Sequence, residues 1–253
     1  MRKILLEISY LGTGYFGYQV QPNKRTVQAE LNSACKSLFG VECDIIGCSR
    51  TDSGVHANQF FAMVTKKGEK YIETEIPLKK IPSALCFYLP NDIAVKNASW
   101  VDDDFHPRYS VKNKEYLYRI YCANVRDPFE EGRVWHYPRK LDDNSFENMC
   151  KAAEHFVGTH DFAGFMASNS SVSNTVRTIY SLSIERVGNN IDVKICGDGF
   201  LYNMVRIIVG TLIAVAEGKI SCEDIPSIID SKDRSRAGVT APPQGLYLNR
   251  VTY

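Results

Sequence analysis

The stretch CDIIGCSRTDSGVHANQFFAMVT, residues 43–65, decides the fold class. Its two ends, Cys43–Cys48 and Gln59–Thr65, are rich in β-branched and aromatic residues and read as strands. Between them Ser49–Ala57 is polar and holds Gly54, so it reads as a loop joining two strands. Upstream, Lys3–Tyr10 alternates as a strand that Met1-Arg2 leads into. Thr26 then caps a helix whose apolar residues Val27, Leu31, Ala34, Cys35 and Leu38 recur at helical spacing and stop at Gly40. Downstream, a short helix is expected near Ile76–Leu85 and a strand around Ile93–Trp100.

A second series follows. Tyr116–Cys122 reads as a strand, and Asp142 or Asp143 caps a helix carrying Phe146, Met149, Cys150, Ala153 and Val157 that ends at Gly158. Thr178–Val187 and Ile191–Cys196 flank the turn signal Gly188-Asn189-Asn190, a hairpin. Leu201–Ala216 is apolar around most of a helical circumference and is therefore expected to be buried. Pro242-Pro243 precedes a last strand, Leu246–Val251. Strands interleave with single helices in both series, which predicts an α/β or α+β class with halves at 1–105 and 106–253.

The chain has 253 residues and a mass of 28.5 kDa, with 30 Lys+Arg against 29 Asp+Glu. Of these, 12 cations and 12 anions fall in 1–105, so neither half is strongly charged. A tail-type basic binder and an acidic disordered chain are both excluded, the latter also by the 44% hydrophobic content. Any basic surface must be a local patch. Glu7, Ser9 and Tyr10 end the first apolar run too early for a signal-peptide core, and Met204–Ala216 is too short to span a bilayer. A soluble, cytoplasmic protein is expected. The 8 Cys include no CxxC pair, and His155 and His160 are off the i, i+4 helical face, so neither disulfides nor a metal is expected.

Gly12-Thr13-Gly14-Tyr15-Phe16-Gly17 fits GxGxxG and follows a strand. A dinucleotide site needs a helix opening at that turn, and Pro22 within a non-periodic segment argues against one. No nucleotide cofactor is expected. The glycines instead imply a sharp turn displaying Tyr15, Phe16 and Tyr18.

In Ser49–Ala57, Asp52 is open to two readings: an Asx-turn beside a solvated Arg50, or a nucleophile or general base that the arginine orients. Spacing alone is compatible with both. His106–Tyr121 holds Arg108, Lys112, Lys114 and Arg119 against Glu115 alone, interleaved with Tyr109, Tyr116, Tyr118 and Tyr121. Cations for phosphates beside stacking faces suit a nucleic-acid surface. Lys232, Arg234 and Arg236, offset by Asp233, form a second small cluster.

The string RTDSGVHA resembles the RTDAGVHA signature of the tRNA pseudouridine synthase A family. Four further blocks are similar in order: Tyr10–Gln19; Asp104–Arg108 with Lys114–Arg119; Gly199–Arg206 continuing to Leu212; and Ala241–Leu248. Ser49 stands where the family usually has Gly, Ser53 where it has Ala, and Tyr18 where it has Trp. The resemblance implies two related halves with joined mixed and antiparallel sheets flanked by helices, and a catalytic cleft between them. It implies Asp52 as the catalytic aspartate, Arg50 as the residue that displaces the target nucleotide, Tyr116 as the tyrosine packing on the target base and Arg206 as the carboxylate partner. From the residues alone, Tyr116 reads as a core strand aromatic and Arg206 as a snorkelling cation. Arg108, Lys112 and Lys114 would then bind substrate.

The implied activity is isomerisation of uridine to pseudouridine in the tRNA anticodon arm, at positions 38, 39 and 40, by a homodimer without metal or cofactor. A related synthase acting on other tRNA uridines, and a non-catalytic RNA-binding protein, are the alternatives.

Overall fold

A computed structural model describes residues 3–167 and 172–253. Met1 and Arg2, the expected lead-in to the first strand, lie outside the described residues. The chain forms two compact units, Met1–Lys112 with Tyr247–Tyr253, and Asn113–Leu246.

In chain order the first unit contains β1 (Lys3–Tyr10), α1 (Val27–Phe39), β2 (Cys43–Gly47), β3 (His56–Lys66), α2 (Ile81–Tyr88) and β4 (Ile93–Val101). The second contains β5 (Asn113–Cys122), β6 (Trp135–Tyr137), α3 (Asp143–Glu154), β7 (Gly158–Asp161), β8 (Val176–Val187), β9 (Asn190–Gly197), α4 (Met204–Ala216) and α5 (Ile225–Ser231). The chain then returns to the first unit as β10 (Leu246–Thr252).

The α/β class holds, with a mixed sheet flanked by helices in each unit. In the first, β1 lies antiparallel between β3 and β4, pairing Ile4 with Val64 and Leu6 with Ala62 on one side and Ile4 with Trp100 on the other. The opposite edge of β3 is shared. Its C-terminal part pairs antiparallel with β2, from Lys66↔Cys43 to Ala62↔Gly47, and its first residues pair parallel with β10, His56↔Tyr247 and Ala57↔Leu248. That second pairing starts β3 at His56, three residues before the apolar run predicts. Leu6, Ile8, Phe60 and Val64 are fully buried, together with Val27 and Leu31 of α1 and Leu85 of α2. Thr26 caps α1 as expected, its hydroxyl accepting from the Ala29 amide, and Gly40 ends it at φ 70°.

In the second unit β5, β9, β8 and β7 run antiparallel in that order, and β6 pairs parallel with β5. The expected hairpin closes at Val187↔Asn190. α3 stops at Glu154 rather than near Gly158, because Phe156 and Val157 donate to Ala153 and Glu154, three residues back, which tightens the chain out of the α-helix. Gly158 then starts β7 at φ 116°. α4 begins at Met204, not Leu201, because Asn203 is left-handed at φ 61° and cannot belong to a right-handed turn.

α4 is buried on nearly every face. A Cβ on Gly210 would lie 1.8 Å from the Val239 carbonyl oxygen, so the 237–240 segment rests directly on the helix backbone. There the Gly238 amide donates to Thr211 Oγ1 at 2.9 Å. Arg234 locks the same segment through Gly238 O and Thr240 Oγ1. Lys232 pairs with Asp161 at 2.7 Å, and Arg236 bonds Ser227. The second basic cluster therefore cross-links loops within its unit, although Lys232 and Arg236 remain exposed.

Replacing an exposed helical Gly with Ala stabilises by about 1 kcal/mol. Gly210→Ala is expected to do the reverse and destabilise by roughly 1–3 kcal/mol through overpacking, read as a lower urea midpoint at unchanged slope.

Candidate active site

Asp52 lies half-buried at the head of a tight turn: the Val55 amide donates to its carbonyl at 3.1 Å, and Gly54 takes φ 79°. Left-handed geometry at that position is what glycine supplies without strain. Arg50 is exposed on the same loop, whereas Thr51, Val55 and His56 are buried.

The loop is held by the glycine-rich turn after β1. The Tyr18 amide donates to Thr51 O at 3.1 Å and the Gly54 amide to Tyr15 O at 3.2 Å. Ser53 Oγ donates to the same Tyr15 oxygen at 3.2 Å. Tyr10 OH and Thr51 Oγ1 share a buried hydrogen bond of 2.7 Å. The Gly12 amide donates to His56 Nδ1 at 2.8 Å, and the His56 ring stacks on Tyr247 at 4.5 Å. An accepting Nδ1 fixes the neutral ring with its proton on Nε2.

The glycines have a definite purpose here. A Cβ on Gly12 would fall 1.9 Å from the Val55 carbonyl oxygen, and one on Gly17, at φ 86°, would fall 2.7 Å from that of Thr51. Gly12–Gly14 is a single 3-10 turn and no helix opens before Val27, so the GxGxxG string lets two backbones meet and forms no phosphate cradle.

Two of the three aromatics expected on display are instead buried. Tyr15 and Tyr18 are 2% and 3% exposed, and only Phe16 reaches solvent, with Lys24 over its ring at 4.2 Å. Tyr18 stacks on Phe60 at 4.4 Å beneath Gly47, where burial pushes its phenol well above the usual tyrosine range.

In the second unit Tyr116 is buried in β5 opposite Ile195, and Phe200 meets its ring edge-on at 5.1 Å. Arg206 occupies the first turn of α4. Its Nε donates to Ala241 O at 2.7 Å and its Nη1 to Asn203 Oδ1 at 2.8 Å, while the Ala241 amide returns a bond to Arg206 O. One motif thus places Phe200 against Tyr116 and starts the helix that carries Arg206. Tyr118, next along the buried face of β5, donates to Pro242 O at 2.7 Å, and burial raises its phenol against the opposing charge of Arg206.

The basic segment is more structural than its composition suggests. Arg119 faces Asp192 at 3.5 Å and Glu130 at 3.9 Å, and Tyr118 is fully buried. Tyr109 is 79% exposed and stacks on His106. Arg108 and Lys114 are half-buried, Lys112 is exposed, and the Lys112 amide donates to Thr252 O. Among the described residues no group of three or more His, Cys, Asp or Glu could hold a metal ion, and no helix is long and apolar enough to cross a membrane.

Sequence reading missed the holding residues Tyr10, Tyr15 and His56. The signal for them was the glycine spacing itself, which marks close backbone approach as readily as a phosphate loop.

A family described as tRNA pseudouridine synthase matches residues 8–110 and 152–253. The chain is 46% identical over 253 residues to a tRNA pseudouridine synthase A of Thermoanaerobacter sp. (strain X514) and 48% identical over 254 residues to that of Acetivibrio thermocellus, with 100% of each chain covered. These alignments span 111–151, which holds Lys112, Lys114 and Tyr116. Among solved structures, a Cbf5–Nop10–Gar1 complex aligns with 96% of this chain and 57% of its own at TM-score 0.37 and 11% identity, too distant to add to the assignment.

Because their Cβ positions differ in surroundings, Gly17 and Gly40 make a controlled pair. Gly40→Ala adds strain in open space and Gly17→Ala adds the same strain plus the Thr51 contact. Strain alone costs on the order of 1 kcal/mol. Gly17→Ala is expected to cost more in a denaturant titration and, unlike Gly40→Ala, to lower turnover.

Proposed function

This chain belongs to the tRNA pseudouridine synthase family and is an isomerase of tRNA uridine, and on that premise we propose that its targets are the anticodon-arm uridines 38, 39 and 40, with Asp52 as the reacting carboxylate. The observation that carries the Asp52 assignment is the clamped loop: five hydrogen bonds and two obligatory glycines fix the backbone on which a half-buried carboxylate stands. Rigid placement of that kind is what a reacting group needs.

The reaction breaks the N1–C1′ bond, turns the uracil and joins C5 to C1′, with the C5 hydrogen leaving as a proton and N1 gaining one. No electrons are exchanged with a partner. Addition of the carboxylate to the pyrimidine ring and removal of a ribose proton after cleavage are both routes for Asp52, and both need it ionised. Arg206 is proposed to stabilise that ionised form, an opposite charge lowering a carboxylate's pKa. The bonds to Ala241 and Asn203 orient its guanidinium in advance. Tyr116 is proposed to receive the face of the displaced base, and Arg50, exposed beside Asp52, to fill the space the base leaves.

Arg108, Lys112 and Lys114 are proposed to meet tRNA phosphates. With a net charge of +1 for the whole chain, phosphate contact by one copy is limited. A homodimer in the cytoplasm, with tRNA engaging both subunits, is the matching assembly.

Unmodified tRNA incubated with wild type is expected to give pseudouridine at 38–40 by site-resolved mapping. Asp52→Asn should reduce the rate by about 10²–10⁴-fold, the range for loss of a positioned acid–base group. Product elsewhere in tRNA would correct the target, and full activity of the variant would remove Asp52 from the chemistry. Lys112→Gln is expected to flatten the dependence of log K on log salt by about 1, checked by filter binding between low and physiological ionic strength.

A further inference from the structure

Tyr15 sits between the Asp52 loop and a cluster of charges. Its carbonyl accepts from both residues that follow Asp52, Ser53 Oγ and Gly54 N, each at 3.2 Å. Its side chain, 2% exposed, runs the other way. The phenol donates to Asp92 Oδ1 and accepts from Arg25 Nη2 at 2.9 Å. Arg25 lies over the Tyr15 ring at 4.3 Å, pairs with Glu30 at 3.0 Å and reaches Asp92 Oδ2 at 3.4 Å.

The same two partners hold the backbone on both sides of Tyr15. The Leu11 amide donates to Asp92 O and the Phe16 amide to Arg25 O, each at 2.9 Å. Main-chain and side-chain groups of Asp92 and Arg25 thus converge on the short segment from Leu11 to Phe16. Arg25 is 44% exposed, and ion pairs of that exposure contribute little stability. What the cluster fixes is the direction of the Tyr15 carbonyl. Burial and the Asp92 acceptor push the phenol above the usual tyrosine range, which favours the donor role its geometry shows.

We propose that Tyr15 is a positioning residue for Asp52, with Asp92 and Arg25 anchoring its side chain so that its carbonyl sets the Ser53-Gly54 turn on which the carboxylate stands. The role rests on Asp52 being the reacting carboxylate. A small displacement of a reacting group costs rate and leaves ground-state binding intact.

The test is single-turnover release of tritium from C5-labelled uridine in tRNA, with tRNA affinity and thermal melting measured on the same variants. Tyr15→Phe is expected to lower the rate at saturating tRNA about tenfold, with affinity within about twofold of wild type. Arg25→Gln, a change at a half-exposed side chain that leaves the ring in place, should move the rate in the same direction. Asp92→Asn keeps an oxygen that accepts from the phenol and should recover most of what Asp92→Ala loses. A loss confined to affinity, or Asp92→Asn no better than Asp92→Ala, overturns the role. Wild-type rates in Tyr15→Phe and Arg25→Gln beside an inactive Asp52→Asn overturn the positioning role alone; an active Asp52→Asn overturns the assignment beneath it.

Discussion

In the first unit two segments that share no secondary structure, the Gly12–Tyr18 turn and the Thr51–His56 loop, meet main chain to main chain. Carbonyl oxygens of Thr51 and Val55 occupy space that a single methyl group at Gly17 or Gly12 would claim. Each hydrogen bond across the contact is worth only about 0.5–1.5 kcal/mol net. Their number and divergent directions, from Thr51 O, Ser53 Oγ, Gly54 N and His56 Nδ1, leave the loop one arrangement that satisfies them all. The close approach comes first, and the placement of Asp52 follows from it.

The second unit solves a different problem. Arg206 is the lone charged residue of α4, and it stands in the first turn, where the helix dipole disfavours a cation. A helix that needed only to fill a core would carry an apolar residue there. The Ala241 carbonyl and the Asn203 side chain offset the unfavourable location and give the guanidinium a direction. Left-handed Asn203 makes this possible by turning the chain abruptly before Met204, which brings its own amide oxygen back over the helix start. Cation, cap and closing segment form one unit of structure.

Much of this was legible in the residues because it is local. The Thr26 cap, the Gly40 stop and the 187–190 hairpin each depend on a few adjacent residues with fixed backbone preferences. The roles proposed for Asp52, Tyr116 and Arg206 rest on ordered motifs and not on local preference. What local pattern does not carry is what a segment faces. Trp135–Tyr137 and Gly158–Asp161 are strands only because β5 and β8 supply partners. A glycine's missing side chain reads identically whether phosphate or another backbone fills the gap, which is why the turn after β1 suggested display of Tyr15 and Tyr18 when both point inward. Arg119, Lys232, Arg234 and Arg236 counted as free charge in composition but are engaged by acids, hydroxyls and carbonyls, those of Arg119 and Lys232 distant in sequence.

The parallel pairing of Tyr247 and Leu248 with His56 and Ala57 has a consequence in time. The strand that completes the first unit is separated from the rest of it by the whole second unit. During synthesis residues 3–112 emerge long before residues 247–253, so His56 has no Tyr247 ring to stack on while the intervening chain is made. The Asp52 loop therefore gains this support only after the whole second unit has been made. A chain made only as far as residue 246 lacks the ring against which His56 stacks and the strand that pairs with the start of β3.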